Sequence, residues 1–209
     1  MKQIFGIDGP LVTAASKLFD CMCASVLWAV FSLPVVTMGA ASAALYKTSY
    51  HNIRKSRGGL FTTFIDSFKE NFVRSTLLWL IELAILALLI TDTVVFRNME
   101  LSGEPLGGIY WVMLVIDCIT AGWLMYAAAY SSQFDGSIKD VIKFSIVLML
   151  LHPIKAFEVI VPLLGGAVLA LAFPPSAIVL PAGVMLACSF PLEKVFLQHL
   201  REEDRVKLM

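Results

Sequence analysis

Two carboxylates, Glu82 and Asp117, stand inside long apolar runs. An ionised side chain at membrane depth costs on the order of 3 kcal/mol, so each is a functional candidate by default. Neither has a basic partner at matching depth in a neighbouring run. Their chemistry fits a proton or cation relay, a polar contact to a partner protein, or a polar clamp between helices. Thr91, Thr120 or a tyrosine could supply the hydrogen bond. Other reactive types are scattered. His51, His152 and His199 lack ligand spacing, and Cys21-x-Cys23 lacks the second pair that a zinc site needs. With Cys118 and Cys188, these cysteines read as small apolar fillers. No Ser/His/Asp order, phosphate loop or pair of catalytic carboxylates is evident. The expectation is a protein that is not an enzyme and needs no cofactor or metal.

The elements that must position these residues are apolar helices. The chain has 209 residues, 58% hydrophobic and 15% charged, with a mean hydropathy of +0.81. Soluble domains carry about 25% charged residues, and too little polar surface remains here to cover a globule of this size. A lipid bilayer is the expected solvent. The net charge is zero, so no bulk pull toward nucleic acid exists. Asp8 and Pro10 interrupt any short apolar core of a cleavable signal peptide.

A span needs about 20 apolar residues. Five are expected in one membrane domain covering residues 1–209, at about 18–38, 72–96, 106–130, 154–173 and 176–196. Pro174-Pro175 makes a tight hairpin of the last two, because proline cannot continue a helix. Two shorter amphipathic helices accompany them. Residues 61–72 place Phe61, Phe64, Phe68 and Phe72 at helical spacing, with Asp66, Lys69 and Glu70 on the other side. Residues 137–152 open with a capping box, Ser137 to Asp140, and end at Pro153. Lys155 and Glu158 suit an i,i+3 ion pair.

Lysine and arginine set the orientation. Lys47, Arg54, Lys55, Arg57, Lys69 and Arg74 lie between spans one and two, and Lys139, Lys143 and Lys155 between spans three and four. Arg201, Arg205 and Lys207 lie in the C-terminal tail, whereas the loop between spans two and three holds Arg97 beside Glu100 and Glu104. Both amphipathic helices and the C-terminus are therefore expected in the cytoplasm. Five spans then put the N-terminus outside. A sixth crossing, moving the N-terminus inside, arises only if residues 40–50 dip back through the bilayer, which Lys47 opposes.

The first span ends in a break. Pro34 removes a backbone donor and disfavours helix at Leu33, Gly39 permits unusual backbone angles, and residues 40–44 are small enough for close helix approach. Two readings follow. The break is a half-helix whose N-terminus, with Thr37 and Ser42, faces a cavity or partner, or it is a packing feature turning the chain into an interfacial helix. The phenylalanine-rich helix likewise either docks on a partner or lies in the headgroup layer.

The residues around the break resemble the YesL-like family of small bacterial membrane proteins of unknown function. The resemblance is carried by Ser32, Leu33, Pro34, Thr37, Gly39, Ala44, Leu45 and Tyr46, followed by Ser67, Phe68, Lys69, Asn71 and Phe72. It is good over about residues 19–80, and Ser25 stands before Trp28 where the family commonly has asparagine. The resemblance implies an accessory or regulatory subunit in the bacterial cytoplasmic membrane that partners the permease and ATPase of a carbohydrate ABC importer. A homo-oligomer is compatible with it. The alternative is an autonomous small transporter or channel with Glu82 and Asp117 lining a polar path. A single set of spans without repeats offers little for alternating access.

Overall fold

A computed structural model describes residues 10–134 and 136–199. The helices are α1 (Pro10–Phe31), α2 (Met38–Thr48), α3 (Leu60–Leu101), α4 (Ile109–Gln133), α5 (Ile138–Leu151), α6 (Pro153–Ala172) and α7 (Leu180–His199). Short 3-10 turns precede α2 (Val35–Thr37) and α7 (Pro174–Ile178), and α2 runs on as a π-helix over Ser49–Arg54. No strand occurs among the described residues. Five helices, α1, α3, α4, α6 and α7, are long and apolar enough to cross a membrane. The chain is an all-α, multi-pass membrane protein.

The expected amphipathic helix at 61–72 is not a separate element. It forms the first turns of α3, which runs unbroken for 42 residues. Nothing in that stretch stops a helix, since it holds neither glycine nor proline. At 1.5 Å per residue α3 is about 63 Å long, roughly twice the hydrocarbon thickness of a bilayer. Its buried residues, Phe64, Ser67, Asn71, Ser75, Leu78 and Glu82, recur every three or four positions. Four of the six are polar. Val73, Leu77, Leu80 and Ile81 point outward and are exposed. This reverses a soluble amphipathic helix and suits a lipid solvent, in which polar groups must find partners inside the protein.

The break between α1 and α2 closes on itself. Pro34 takes an extended conformation (φ −76°, ψ 112°). The freed carbonyls are then collected. The Thr37 hydroxyl lies 2.7 Å from the Phe31 carbonyl and 2.9 Å from that of Pro34, and the Trp79 indole N–H donates to the Val35 carbonyl at 2.8 Å. Trp28 Nε1 donates to Ser42 Oγ at 3.1 Å, tying the end of α1 to the start of α2. At the far end of this hairpin, Thr13, Ser16 and Lys17 of α1 line one depression with Asn52, Ser56 and Gly58.

The α2 segment therefore does not lie flat at an interface. It doubles back antiparallel to α1 as a buried helix, with Ala40, Ala41, Ala43, Ala44, Leu45 and Tyr46 at 0% exposure. Small residues let backbones approach where the hydrophobic effect no longer drives helices together. A Cβ on Gly39 would collide with Trp79 Cβ and the Ser75 carbonyl. Lys47, the residue weighed against a return, is paired with Glu70 at 3.0 Å.

Because the chain returns along α2, the start of α1 and the end of α7 lie at the same end of the bundle. The π-helical end of α2 is fastened to α7. Tyr50 donates to Glu193 at 2.8 Å, Arg54 pairs with the same carboxylate and donates to the Ser189 carbonyl at 2.9 Å, and Lys55 lies 3.6 Å away. This end, with Lys47, Arg54, Lys55 and Arg74, is the basic end. Arg97, Glu100 and Glu104 mark the distal end.

The remaining elements follow the sequence. Ser137 and Asp140 form the capping box of α5, and their hydrogen bonds hold the exposed Asp140 carboxyl below its usual value. Val141, Ser145, Leu148 and Met149 face inward while Phe144 stays exposed. Pro153 opens α6, Lys155 meets Glu158 at 2.6 Å, and the paired prolines turn α6 into α7.

Overpacking a tight helix contact typically costs about 1–3 kcal/mol. Gly39→Val is expected to destabilise the protein by at least that amount, read as a lowered thermal denaturation midpoint in detergent. Gly183→Ala, where nothing lies within 4 Å of an added Cβ, is expected to leave the midpoint unchanged or raise it.

Candidate functional site

The broken helix and one of the two membrane carboxylates meet in a cavity. It encloses about 210 Å³ between α2, α3, α4, α6 and α7. Gly39 and Ser42 come from the start of α2, and Ser75, Trp79 and Glu82 from the inward stripe of α3. Met125 and Ser131 of α4, Leu163 of α6 and Met185 of α7 complete the wall. The start of α2 does face a cavity, as one sequence reading holds. Thr37 does not join it, because its hydroxyl is turned to the carbonyls of the break.

Most polar groups of the cavity are already engaged. Ser75 and Ser131 share a hydrogen bond of 2.8 Å, Ser42 accepts from Trp28, and the Trp79 indole is held by Val35. Glu82 is the exception. It is 5% exposed, and its Oε1 is buried without a hydrogen-bond partner among the described residues. Among the described residues it is also the one titratable side chain of the lining. An apolar cavity of about 150 Å³ is enough to hold benzene, so this one has room for a small ligand or several waters. The arrangement can hold a proton, water or a small cation at the carboxyl. Its lining offers no nucleophile paired with a base, the minimum for covalent chemistry.

Asp117 is elsewhere. Its Oδ2 accepts from Thr93 Oγ1 at 2.8 Å, and its Oδ1 is buried without a partner. Thr93 stands eleven residues beyond Glu82 on α3, about 16 Å along the axis. The two carboxylates do not share one cavity. Thr91 and Thr120, expected as partners, bond instead to carbonyls of their own helices, Ala87 and Ile116.

The aromatic row of α3 is divided. Phe64 is fully buried against Phe31, and Phe68 packs edge-on to Phe31 at 4.8 Å between ring centroids. Phe61 and Phe72 point outward, at 57% and 37% exposure, and Lys69 is exposed. Asn71 is buried and accepts from Arg74 at 2.6 Å, and Arg74 also reaches the Ser131 carbonyl. Ala44 and Tyr46 are buried in the α2 contact, whereas Ser32, Leu33 and Pro34 form the turn itself.

Sequence reasoning assigned no role to Ser131, to Arg74, noted only for its charge, or to Ser25, noted only as a departure from the resembling family. The signal for the first two was present, because Ser67, Asn71, Ser75 and Glu82 fall on one helical face. Ser25, where the resembling family has asparagine, accepts from the Ala182 backbone N–H at 3.1 Å and ties α1 to the first turn of α7.

A buried polar group without a partner costs about 1–3 kcal/mol. Glu82→Leu, which fills the same space without a charge, is expected to keep or raise the thermal midpoint in detergent. A midpoint lowered by the equivalent of that penalty would mean that the carboxyl has a stabilising partner.

Comparison with known proteins is confined to the segment that builds the break and its wall. No curated protein and no solved structure matches the chain. Residues 21–93, which supply Gly39, Ser42, Ser75, Trp79 and Glu82, match the model of DUF624, a family described as a protein of unknown function.

Proposed function

We propose that this protein is a non-enzymatic accessory subunit of the bacterial cytoplasmic membrane, acting by binding another membrane protein through the distal half of its α3–α4 hairpin. One observation supports this reading most directly. Beyond Glu82 no residue of α3 is buried, and before Gly122 no residue of α4 is buried. Yet this thinly packed stretch carries Asp117 with an unsatisfied oxygen beside Thr93. A carboxylate supported by one hydroxyl, with its other oxygen buried and unpaired, is costly. A partner helix laid along the hairpin would cover apolar residues such as Val112, Val115 and Ile119, which are exposed, and exclude lipid from around the polar Thr93–Asp117 pair.

By the positive-inside rule, the basic end, with the start of α1 and the end of α7, faces the cytoplasm. The resemblance to YesL-like proteins, supported by the match to the DUF624 model over residues 21–93, narrows the partner to the permease and ATPase of a carbohydrate ABC importer. The role is then assembly or regulation rather than catalysis. A second reading, an autonomous small transporter or channel, is favoured by the unpartnered Glu82 in its cavity. The distance between Glu82 and Asp117 weakens it, since two separated carboxylates do not make one path.

Purification of the tagged protein from its native host in mild detergent tests the first reading. Permease and ATPase subunits are expected to co-purify. The double variant Thr93→Val with Asp117→Leu is expected to reduce their recovery about tenfold, equivalent to about 1.4 kcal/mol of binding. Recovery of the free protein alone would sink the reading. Flux through proteoliposomes that is abolished by Glu82→Gln would instead establish the second.

A further inference from the structure

A second, polar pocket of about 320 Å³ opens between α2, α3 and the end of α4, at the basic end. Its lining includes Lys47, His51, Glu70, Asn71, Arg74 and Gln133. The acceptors Glu70 and Asn71 already have donors. Glu70 pairs with Lys47 at 3.0 Å, and Asn71 Oδ1 accepts from Arg74 at 2.6 Å. Arg74 is held in place by three such contacts, to Asn71, the Ser131 carbonyl and the Gly136 carbonyl. What is left over is donor capacity. Among the lining residues, Arg74 Nε and Gln133 Nε2 are buried without a partner.

We propose that this pocket binds a phosphate-type oxyanion, held by Arg74 and Gln133 with Lys47 at its rim. A ligand that satisfies two unpaired N–H groups beside two cations must be an acceptor, and an anionic one gains charge-assisted bonds. An arginine whose guanidinium is fixed by the protein loses little entropy on binding such a group. Glu70 opposes an anion least where it already sits, tied to Lys47 and with its side chain 60% exposed. His51 is held below the usual imidazole value by burial and by Lys47, so the positive charge resides on Lys47 and Arg74.

Two sources carry this chemistry. Basic pockets between membrane helices on the cytoplasmic side take phospholipid headgroups, and α3 passes from charged residues to its apolar run at this level, directly after Arg74. A soluble phosphate would be bound by the same donors. The site is independent of the partner proposed above, because it lies at the opposite end of α3 from the distal hairpin.

The test uses the full-length purified protein. In detergent, inorganic phosphate is titrated against chloride at equal ionic strength while the thermal midpoint is followed. In a parallel arm, the protein is placed in nanodiscs of phosphatidylcholine with or without phosphatidylglycerol. Stabilisation by phosphate alone identifies a soluble anion, and stabilisation that needs phosphatidylglycerol identifies a headgroup. In either case Gln133→Leu and Lys47→Gln are expected to weaken the effect at least fivefold. Arg74→Lys, which keeps the charge but removes the fork, is expected to do the same without unfolding the bundle. Midpoints that respond to neither phosphate nor phosphatidylglycerol would overturn the proposal, as would variants that respond like the wild type.

Discussion

The close approach of α2 to α3 at Gly39 is the constraint on which the rest of the structure depends. It brings the backbone of a short, alanine-rich helix against Trp79 and Ser75, where no side chain larger than hydrogen fits. Trp79 in turn holds the Val35 carbonyl, so one indole both packs against the returning helix and satisfies the turn that produced it. With that contact in place, the π-helical end of α2 reaches α7. There Arg54, Lys55 and Tyr50 converge on Glu193, a partly buried cluster in which removing one partner is more costly than never having had the pair. The hairpin of α1 and α2 is thus clamped at both ends by side chains far away in sequence.

The same contact explains where the polar groups go. In a bilayer, helices gain little from hiding apolar surface, and polar residues serve as the glue. The inward face of α3 is accordingly Ser67, Asn71, Ser75 and Glu82, answered by Ser131 of α4 and by the start of α2. Burial is concentrated in the half of the bundle that α2 occupies. Past the start of α2, α3 and α4 continue without it and pack mainly on each other. The described residues therefore form a dense half that holds the Glu82 cavity and the Arg74 pocket, and an open half with an under-satisfied carboxylate. That asymmetry underlies both the assignment of a docking hairpin and the separation of Glu82 from Asp117.

Much of this was legible in the sequence. Hydropathy alone gives the five long helices, the proline pair gives the α6–α7 hairpin, and Ser137 with Asp140 gives the start of α5. Pro34 and Gly39 mark the break at its true place. Two things were not legible, each for a physical reason. Residues 40–50 look too polar to fold back into the bundle, because sequence does not show that Lys47 is paired with Glu70 and that the helix is wrapped by protein. The helix at 61–72 looks amphipathic and self-contained, because its charged side makes it polar enough for an interface. Without a breaking residue it simply continues. The site was half legible. The carboxylates and the break stood out, but their meeting in one cavity depends on the return of α2.

The central claim is that α1 and α2 form a hairpin that brings the start of α1 and the end of α7 to the same end of the bundle. Single cysteines introduced as Ser16→Cys, Gly103→Cys and Gln198→Cys, in a background with Cys21, Cys23, Cys118 and Cys188 replaced, can be labelled in intact cells with a membrane-impermeant maleimide. The account predicts that the Ser16 and Gln198 positions are protected together while the Gly103 position reacts. Labelling at Ser16 alongside Gly103, with Gln198 protected, would mean that the first helix crosses without a returning partner and would contradict it.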